Sequence, residues 1–258
     1  MVKFDPRLTL PSTQDLPCSD DTPVDNEDQN FIPNLLLFLL ESIWATRNDW
    51  FFGVDMGVYH TTGVSHLVPV IPDGFLSLGV QRRKGNKSRL SYAVWEENIV
   101  PQFVLEVVSK TPGDEYDQKL QIYAQLGVLY YVIYNPYYWQ RDRHQPFEVY
   151  QLSNGEYQQR IGEPFWMPEV GLGIGRGEYI SGTVQREVLY WYDQAGQRYL
   201  RAEEIAQMER QQRQVVEQQM EVERQQRQVV EQQMEVERQQ RERLAAKLRE
   251  LGIDPESL

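Results

Sequence analysis

The sequence predicts an α/β domain followed by a long charged helix. Short aromatic and β-branched segments, separated by Gly, Pro and Asn, alternate with segments of helical periodicity in the middle of the chain. Two strand-like segments, residues 103–108 and 130–134, enclose a helical pattern over residues 114–126, which is typical of a parallel βαβ crossover. From Ala202 the chain contains neither Gly nor Pro until Gly252, which favours one continuous helix.

The first elements follow from composition and periodicity. Residues 1–30 are rich in Pro and Asp and almost without apolar periodicity, so burial cannot offset the entropy of ordering them. We expect a mobile acidic arm there. Residues 33–47 place Leu36, Leu40 and Ile43 at helical spacing, which predicts a helix that faces the core.

The remaining body is predicted to be mostly strands, with the helix over residues 114–126 ending at Gly127. Between residues 160 and 200, glycines alternate with apolar residues and no GxGxxG spacing occurs, which indicates strands and turns rather than a phosphate loop. The other predicted strands cover residues 51–59, 68–78 and 147–152.

The end of the chain, residues 201–258, contains an internal repeat. Residues 210–223 recur letter for letter at 224–237. Fourteen residues are two heptads, so the duplication keeps a coiled-coil seam in register. Valines recur every seven residues, but the partner positions are all Gln. We therefore predict a weak coiled coil, and through it a homo-oligomer such as a dimer.

Composition excludes several classes of protein. Cys18 is the only cysteine of the 258 residues, so neither a disulfide framework nor a cysteine-based zinc site is possible. The longest apolar run, residues 35–40, is too short to span a bilayer. The net charge is −12, but most of it lies in residues 1–30 and 201–258. We expect a cytoplasmic protein with no membrane partner, whose middle region is only mildly acidic.

A basic segment, residues 82–89, surrounds Gly85 and Asn86, a composition typical of an exposed turn. One interpretation is a solvated hairpin tip. The other is a nucleic-acid contact, because phosphate binding depends on Lys and Arg. The residues that would make this contact are Arg82, Arg83, Lys84 and Lys87.

One predicted strand contains an acid among apolar residues. Glu106 lies in residues 103–108, where a carboxylate costs several kcal/mol unless it is paired or bound to metal. Lys119, on the apolar stripe of the next helix, is the candidate partner, and Asp73 closes a neighbouring apolar run. Such a set can hold Mg²⁺ and orient a water for phosphodiester attack. The alternative is a structural Glu106–Lys119 ion pair, with Asp73 in a Pro-Asp-Gly turn.

Pro72-Asp73 together with residues 101–136, PQFVLEVVSKTPGDEYDQKLQIYAQLGVLYYVIYNP, resembles the putative restriction-endonuclease family of bacteria, within the PD-(D/E)XK nucleases. The resemblance covers about residues 31–200. It implies a restriction-endonuclease-like central mixed sheet flanked by helices, a metal-binding pair at Asp73 and Glu106, and a catalytic lysine. In the superfamily pattern this lysine follows the acid by two residues, where this chain has Val108, so Lys119 would replace it from the helix.

These observations favour a nuclease-like domain over residues 31–200, between the arm 1–30 and the charged helix 201–258. The leading hypothesis is a Mg²⁺-dependent endonuclease that hydrolyses phosphodiester bonds in DNA, with Asp73, Glu106 and Lys119 as catalytic residues. The alternative is a catalytically lapsed domain that binds nucleic acid or a protein and oligomerises through its C-terminal helix. Val108 and the acidic balance favour the alternative, whereas the Asp, Glu and Lys set favours the enzyme.

Overall fold

The computed structural model describes residues 10–17, 26–63, 65–85, 87–111 and 114–250. The chain divides into two compact units, Met1–Leu200 and Arg201–Leu258. Of the predicted arm, residues 1–9 and 18–25 lie outside the described ranges, and Cys18 lies there too. Within residues 10–17, Leu16 is buried and packs with Tyr59 and Ala93.

The first helix, α1 (Glu27–Ile43), begins six residues before the predicted start. Asn26 caps it, because the side-chain oxygen accepts hydrogen bonds from the backbone N–H groups of Asp28 and Gln29 at 2.9 and 3.2 Å. Pro33 lies inside the helix rather than at its beginning. Ile32 and Leu36, on either side of this proline, are fully buried, so tertiary packing keeps the chain helical across it.

A six-stranded mixed sheet forms the centre of the first unit, in the order β1-β3-β5-β6-β7-β8. Strand β5 is parallel to β6 and antiparallel to β3, and helix α3 (Gln118–Leu126) connects β5 to β6, which confirms the predicted crossover. The strands are β1 (Trp50–Val54), β3 (Gly74–Leu78), β5 (Phe103–Val107), β6 (Tyr130–Tyr134), β7 (Phe147–Ser153) and β8 (Glu156–Arg160).

Smaller elements complete this unit. The region between residues 160 and 200, where glycines alternate with apolar residues, forms a three-stranded antiparallel sheet, as its strand and turn pattern predicts. The smaller elements are β2 (Val58–Tyr59), β4 (Tyr92–Ala93), α2 (Val94–Glu97), α3 (Gln118–Leu126), α4 (Trp139–Asp142), β9 (Phe165–Met167), β10 (Leu172–Ser181) and β11 (Val184–Tyr192).

Two apolar clusters lie on the two faces of the central sheet. On one face, Phe103 and Leu105 pack in the cluster that contains α1 and the β9–β11 sheet. On the other face, Val104 belongs to the cluster that contains Tyr123 of α3. Because side chains alternate along a strand, Glu106 shares the face of Val104 and points to the side covered by α3. The strand pattern therefore places this acid beneath a helix.

In the second unit, the structure describes one long helix, α5 (Ala202–Glu250), of 49 residues, as the absence of Gly and Pro predicts. Nearly all of its side chains are exposed, including Val215, Val222, Val229 and Val236 at seven-residue intervals. Intrahelical ion pairs such as Arg227–Glu223 connect residues four apart. Within the described ranges, neither α5 nor any other helix is long and apolar enough to cross a bilayer.

Candidate active site

The register of the sheet brings Asp73 to Glu106. Gly74 pairs with Leu105 in the antiparallel β3–β5 ladder, so the residue before Gly74 lies next to the residue after Leu105. The Asp73 carboxylate closes this end of the ladder, where its Oδ2 accepts a hydrogen bond of 2.6 Å from the Val107 backbone N–H. Asp73 is therefore fixed beside the end of the strand that contains Glu106.

Helix α3 supplies one hydrogen-bond donor to each oxygen of Glu106. The Lys119 ammonium donates to Oε2 at 2.8 Å, and the Tyr123 hydroxyl donates to Oε1 at 2.7 Å. Lys119 and Tyr123 are four residues apart, so they lie on the same face of the helix. Glu106 is 1% exposed, and Tyr123 is fully buried. The carboxylate is thus held in one orientation by two side chains of α3.

The electrostatics of this cluster favour a cation. Burial, and then the negative charge of Glu106, raise the pKa of Asp73 well above its ordinary value. Burial also raises the pKa of Glu106, against the opposing effects of Lys119 and Tyr123. Burial alone would lower the pKa of Lys119, but Glu106 and Asp73 outweigh it and raise this pKa. One ammonium therefore faces two carboxyl groups, and a bound cation would stabilise the ionised form of both.

The donor set fits Mg²⁺. Magnesium is commonly held by one or two carboxylates while water and substrate phosphates complete its coordination. Asp73 and Glu106 supply two carboxylates, each of whose oxygens has lone pairs beyond those used by the hydrogen bonds above. In the described part of the chain, no three or more His, Cys, Asp or Glu side chains are grouped to enclose a metal. The fit is therefore to a hard cation that keeps part of its water shell.

Sequence reasoning did not assign a site role to Tyr123 or Glu115. Tyr123 belongs to the apolar stripe of α3, and only the structure shows that its hydroxyl contacts Glu106. Its position one turn after Lys119 is the sequence signal that could have indicated this contact. Glu115 is buried just before α3. Its negative charge also raises the pKa of Asp73 and of Glu106, although burial and the nearer charged groups have larger effects.

The usual lysine position of the superfamily pattern is occupied by an apolar residue. Val108 is 2% exposed and belongs to the apolar cluster on the α3 face, so it supplies no cation to the carboxylates. Lys119 instead reaches the carboxylate from α3, with a quarter of its side chain exposed. Gln102, at the start of the same segment, is structural, because its Oε1 accepts a hydrogen bond of 2.6 Å from the Leu78 N–H.

A cleft of about 990 Å³ adjoins the cluster. Lys119 lines this cleft and also contacts Glu106, so the cleft opens beside the candidate site. One wall is the exposed face of α3, and the opposite wall includes residues 68–71, which precede Asp73. We call this space the α3 cleft.

The basic segment is largely neutralised by acids. Arg82 pairs with Glu41 at 2.8 Å and stacks on Trp50, with its guanidinium carbon 4.1 Å from the ring centroid. Lys84 contacts Glu96 and Glu97 at 2.7 and 2.9 Å.

A third cation of the segment, Arg89, is almost fully buried against Glu97, 3.0 Å away. Arg83 and Lys87 are exposed, and neither is ion-paired with another described residue. Asn86 lies outside the described ranges.

The mixed sheet, its flanking helices and the cluster at the end of β5 define a restriction-endonuclease-like α/β protein. The model of the Uma2 family, described as "Putative restriction endonuclease", matches residues 21–177, well over half of the chain. The chain therefore belongs to this family of the PD-(D/E)XK type, which confirms the resemblance found in residues 101–136. No curated protein and no solved structure matches it.

Proposed function

We propose that this protein is a Mg²⁺-dependent endonuclease that hydrolyses phosphodiester bonds in DNA. The observation that supports this function best is the arrangement around Glu106, a buried acid with the Lys119 ammonium 2.8 Å away and Asp73 at the same end of the sheet. Family membership supports the reaction class, because the matching family is described as putative restriction endonucleases. Asp73 and Glu106 are the proposed metal ligands, and Lys119 is the proposed third catalytic residue.

The residues divide the chemistry between them. Bound Mg²⁺ would supply Lewis acidity toward the phosphate and the attacking water. The raised pKa of Lys119 keeps it protonated at neutral pH, so it acts as a cation and a hydrogen-bond donor rather than as a base. Its ammonium can orient the water or stabilise the negative charge that develops on the phosphate. Tyr123 keeps Glu106 in one orientation while the site works.

A plasmid-nicking assay tests this function. In the presence of Mg²⁺ the wild-type chain should nick supercoiled DNA, and Asp73→Asn, Glu106→Gln and Lys119→Met should each lower the rate by at least about a hundredfold. Glu156→Gln, which changes an exposed acid on β8, is the matched control and should nick like the wild type. Mg²⁺ should also raise the melting temperature of the wild type but not of Asp73→Asn.

A second candidate is a catalytically lapsed domain that binds nucleic acid or a protein. The buried Val108 at the usual lysine position favours it. A wild-type chain that shows neither Mg²⁺-dependent nicking nor a Mg²⁺-dependent rise in melting temperature would select this candidate over the enzyme.

We propose DNA as the partner of the basic segment. Arg82, Arg83, Lys84 and Lys87 are the proposed contacts, and within this set Arg83 and Lys87 are exposed without an acidic partner among the described residues. Arg82 and Lys84 already form ion pairs, so a phosphate would have to compete with Glu41, Glu96 and Glu97.

We also propose that the protein is cytoplasmic. A DNA substrate and a single cysteine are consistent with this location.

We propose the domain division 1–30, 31–200 and 201–258, with α5 as a homo-oligomerisation element. The exposed valines at seven-residue spacing along α5 support self-association, while the Gln residues between them predict that it is weak. Sedimentation equilibrium of the full chain should show concentration-dependent dimers. Deletion of residues 224–237 removes two whole heptads, so it should weaken the dimer and leave the melting temperature of the first unit unchanged.

A further inference from the structure

The α3 cleft has a chemical character different from that of the catalytic cluster. Among its described lining residues, Lys119 and Asp114 are the only ones with a full charge. Burial lowers the pKa of His60, another lining residue, which favours its neutral form at neutral pH. A surface that tracks several phosphates needs a row of cations, which the described walls of this cleft do not supply. The cleft therefore suits an uncharged part of a polynucleotide.

Helix α3 presents a row of amides to this cleft. Gln118, Gln121 and Gln125 all line it, and their i, i+3, i+7 spacing places them on one face of the helix. All three side chains are exposed, and within the described ranges no other residue engages their amide groups. A Gln amide offers a donor and an acceptor side by side, the pattern that pairs with the edge of a nucleobase.

Apolar atoms form much of the remaining surface. Val68, Pro69 and Ile71 line the wall that leads to Asp73, and Ile122 lies between the glutamines on α3. Val68 is 64% exposed, so its side chain is available to an apolar part of a ligand. The volume of about 990 Å³ is at the upper end of the range of small-molecule sites and can contain a nucleoside.

We propose that the α3 cleft holds an unpaired nucleobase next to the scissile phosphate, and that Gln118, Gln121 and Gln125 read its edge. The assignment rests on the proposed nuclease function and adds to it the element that sets base preference. Lys119 connects the two sites, because it lines the cleft and contacts Glu106. A phosphate at the catalytic cluster would therefore have its neighbouring base at the entrance of the cleft.

Binding of single-stranded oligonucleotides tests this proposal without any cleavage. The probes are fluorescein-labelled DNA strands of one length that differ only in a central A, C, G or T, measured by anisotropy with Ca²⁺ in place of Mg²⁺. The wild type should bind its best base about tenfold more tightly than its worst, as one base-edge contact typically provides. The triple variant Gln118→Ala, Gln121→Ala, Gln125→Ala should reduce this difference to within about twofold.

Two features of the design separate the possible results. Alanine is a better helix former than glutamine, so the triple variant should keep α3 intact, which far-UV circular dichroism can verify. Gln158→Ala with Gln159→Ala, which changes two exposed glutamines of the edge strand β8, is the matched control and should keep the wild-type preference. Nicking of plasmid DNA is measured on the same samples, so failure of the nuclease function and failure of the base site give different results.

Four results would overturn the base site: no binding of any strand, equal affinity of the wild type for all four bases, an unchanged preference in the triple variant, or equally tight binding when the base is paired in a duplex. A preference that depends on the three glutamines in a chain that does not nick would support the base site and reject the nuclease function.

Discussion

The catalytic cluster and the basic segment are both groups of charged residues, but their surroundings differ. Glu106 is 1% exposed, and each of its carboxylate oxygens accepts a hydrogen bond from α3. Arg83 and Lys87 of the basic segment lie at the surface. Water screens the surface charges, whereas the buried ones must satisfy each other or bind a cation.

The basic segment itself contains both situations. Arg89 is as buried as a core residue, with 3% of its side chain exposed, and it bonds to Glu97 and to the carbonyl oxygens of Gln81 and Arg82. Arg83, six residues earlier, is exposed. A run of cations in a sequence is therefore not one functional unit, because each cation takes the role that its burial and its partners define.

The largest effect on stability is expected at Glu106. Glu106→Gln removes the buried carboxylate that bonds to the Lys119 ammonium and leaves only Asp73 to balance it, which should lower the free energy of unfolding by about 3 kcal/mol. The figure is at the lower end for a broken buried pair, because Lys119 can turn toward the α3 cleft. The double variant Glu106→Gln, Lys119→Met removes both charges and should recover most of the loss. Urea denaturation without metal measures both values, and a Glu106→Gln variant as stable as the wild type would contradict the pairing.

Arg89→Ala should cause the next largest loss of stability. It removes a buried guanidinium that bonds to Glu97 and two carbonyl oxygens and stacks over Phe51, with its guanidinium carbon 4.4 Å from the ring centroid. We expect a loss of about 2 kcal/mol in the free energy of unfolding, moderated by Lys84, which remains 2.9 Å from Glu97. Arg83→Ala is the matched control and should change this free energy by less than about 0.5 kcal/mol. Equal losses in the two variants would show that burial does not distinguish these arginines.

Tyr123→Phe should have an intermediate effect. The phenyl ring keeps the packing of α3, but Oε1 of Glu106 loses its donor, which should cost about 1 kcal/mol of unfolding free energy. The proposed metal site should also weaken, so the Mg²⁺-induced rise in melting temperature should be smaller than in the wild type.

Tyr157→Phe removes a similar hydrogen bond, to the Val128 carbonyl, away from Glu106. It is the matched control and should lose stability without changing the response to Mg²⁺. Identical Mg²⁺ responses in the two variants would remove Tyr123 from the site.

Much of the site could be predicted from sequence because buried charges stand out in apolar surroundings. Every residue of β5 other than Glu106 is apolar, and this pattern alone identified the acid. Lys119 followed from its place on the stripe of α3. Tyr123 was missed because a buried tyrosine on such a stripe fits packing as well as hydrogen bonding, and only coordinates show where the hydroxyl points.

Element boundaries were less predictable where proline was present. Residues 68–78 were expected to form one strand, but β3 begins at Gly74, and Val70 contributes only an isolated bridge to Val58. Pro69 and Pro72 lack the N–H that a continuous ladder needs. The helix predicted to begin at residue 33 begins two turns earlier, where Asn26 caps α1. For β3, the pairing of distant strands set the boundary, whereas for α1 the local cap at Asn26 set it.

The partners of the basic segment could not be predicted at all. Glu96 and Glu97, which neutralise Lys84, lie on α2, and Glu41, which pairs with Arg82, lies on α1. Such contacts depend on how the helices fold back on the segment, not on spacing along the chain. The sequence therefore identified a group of cations without showing that only some of them are available to a ligand.

The smallest effect on stability is expected from the double variant Arg83→Ala, Lys87→Ala. Both side chains are exposed, so the free energy of unfolding should change by less than about 0.5 kcal/mol. If both contact phosphates, DNA affinity should fall at low salt, and the slope of log affinity against log salt should decrease by about 2, since each phosphate contact releases about one counterion. Fluorescence anisotropy at several salt concentrations measures this slope. Glu156→Gln with the wild-type slope serves as the control, and an unchanged slope in the double variant would place the phosphate contacts elsewhere on the protein.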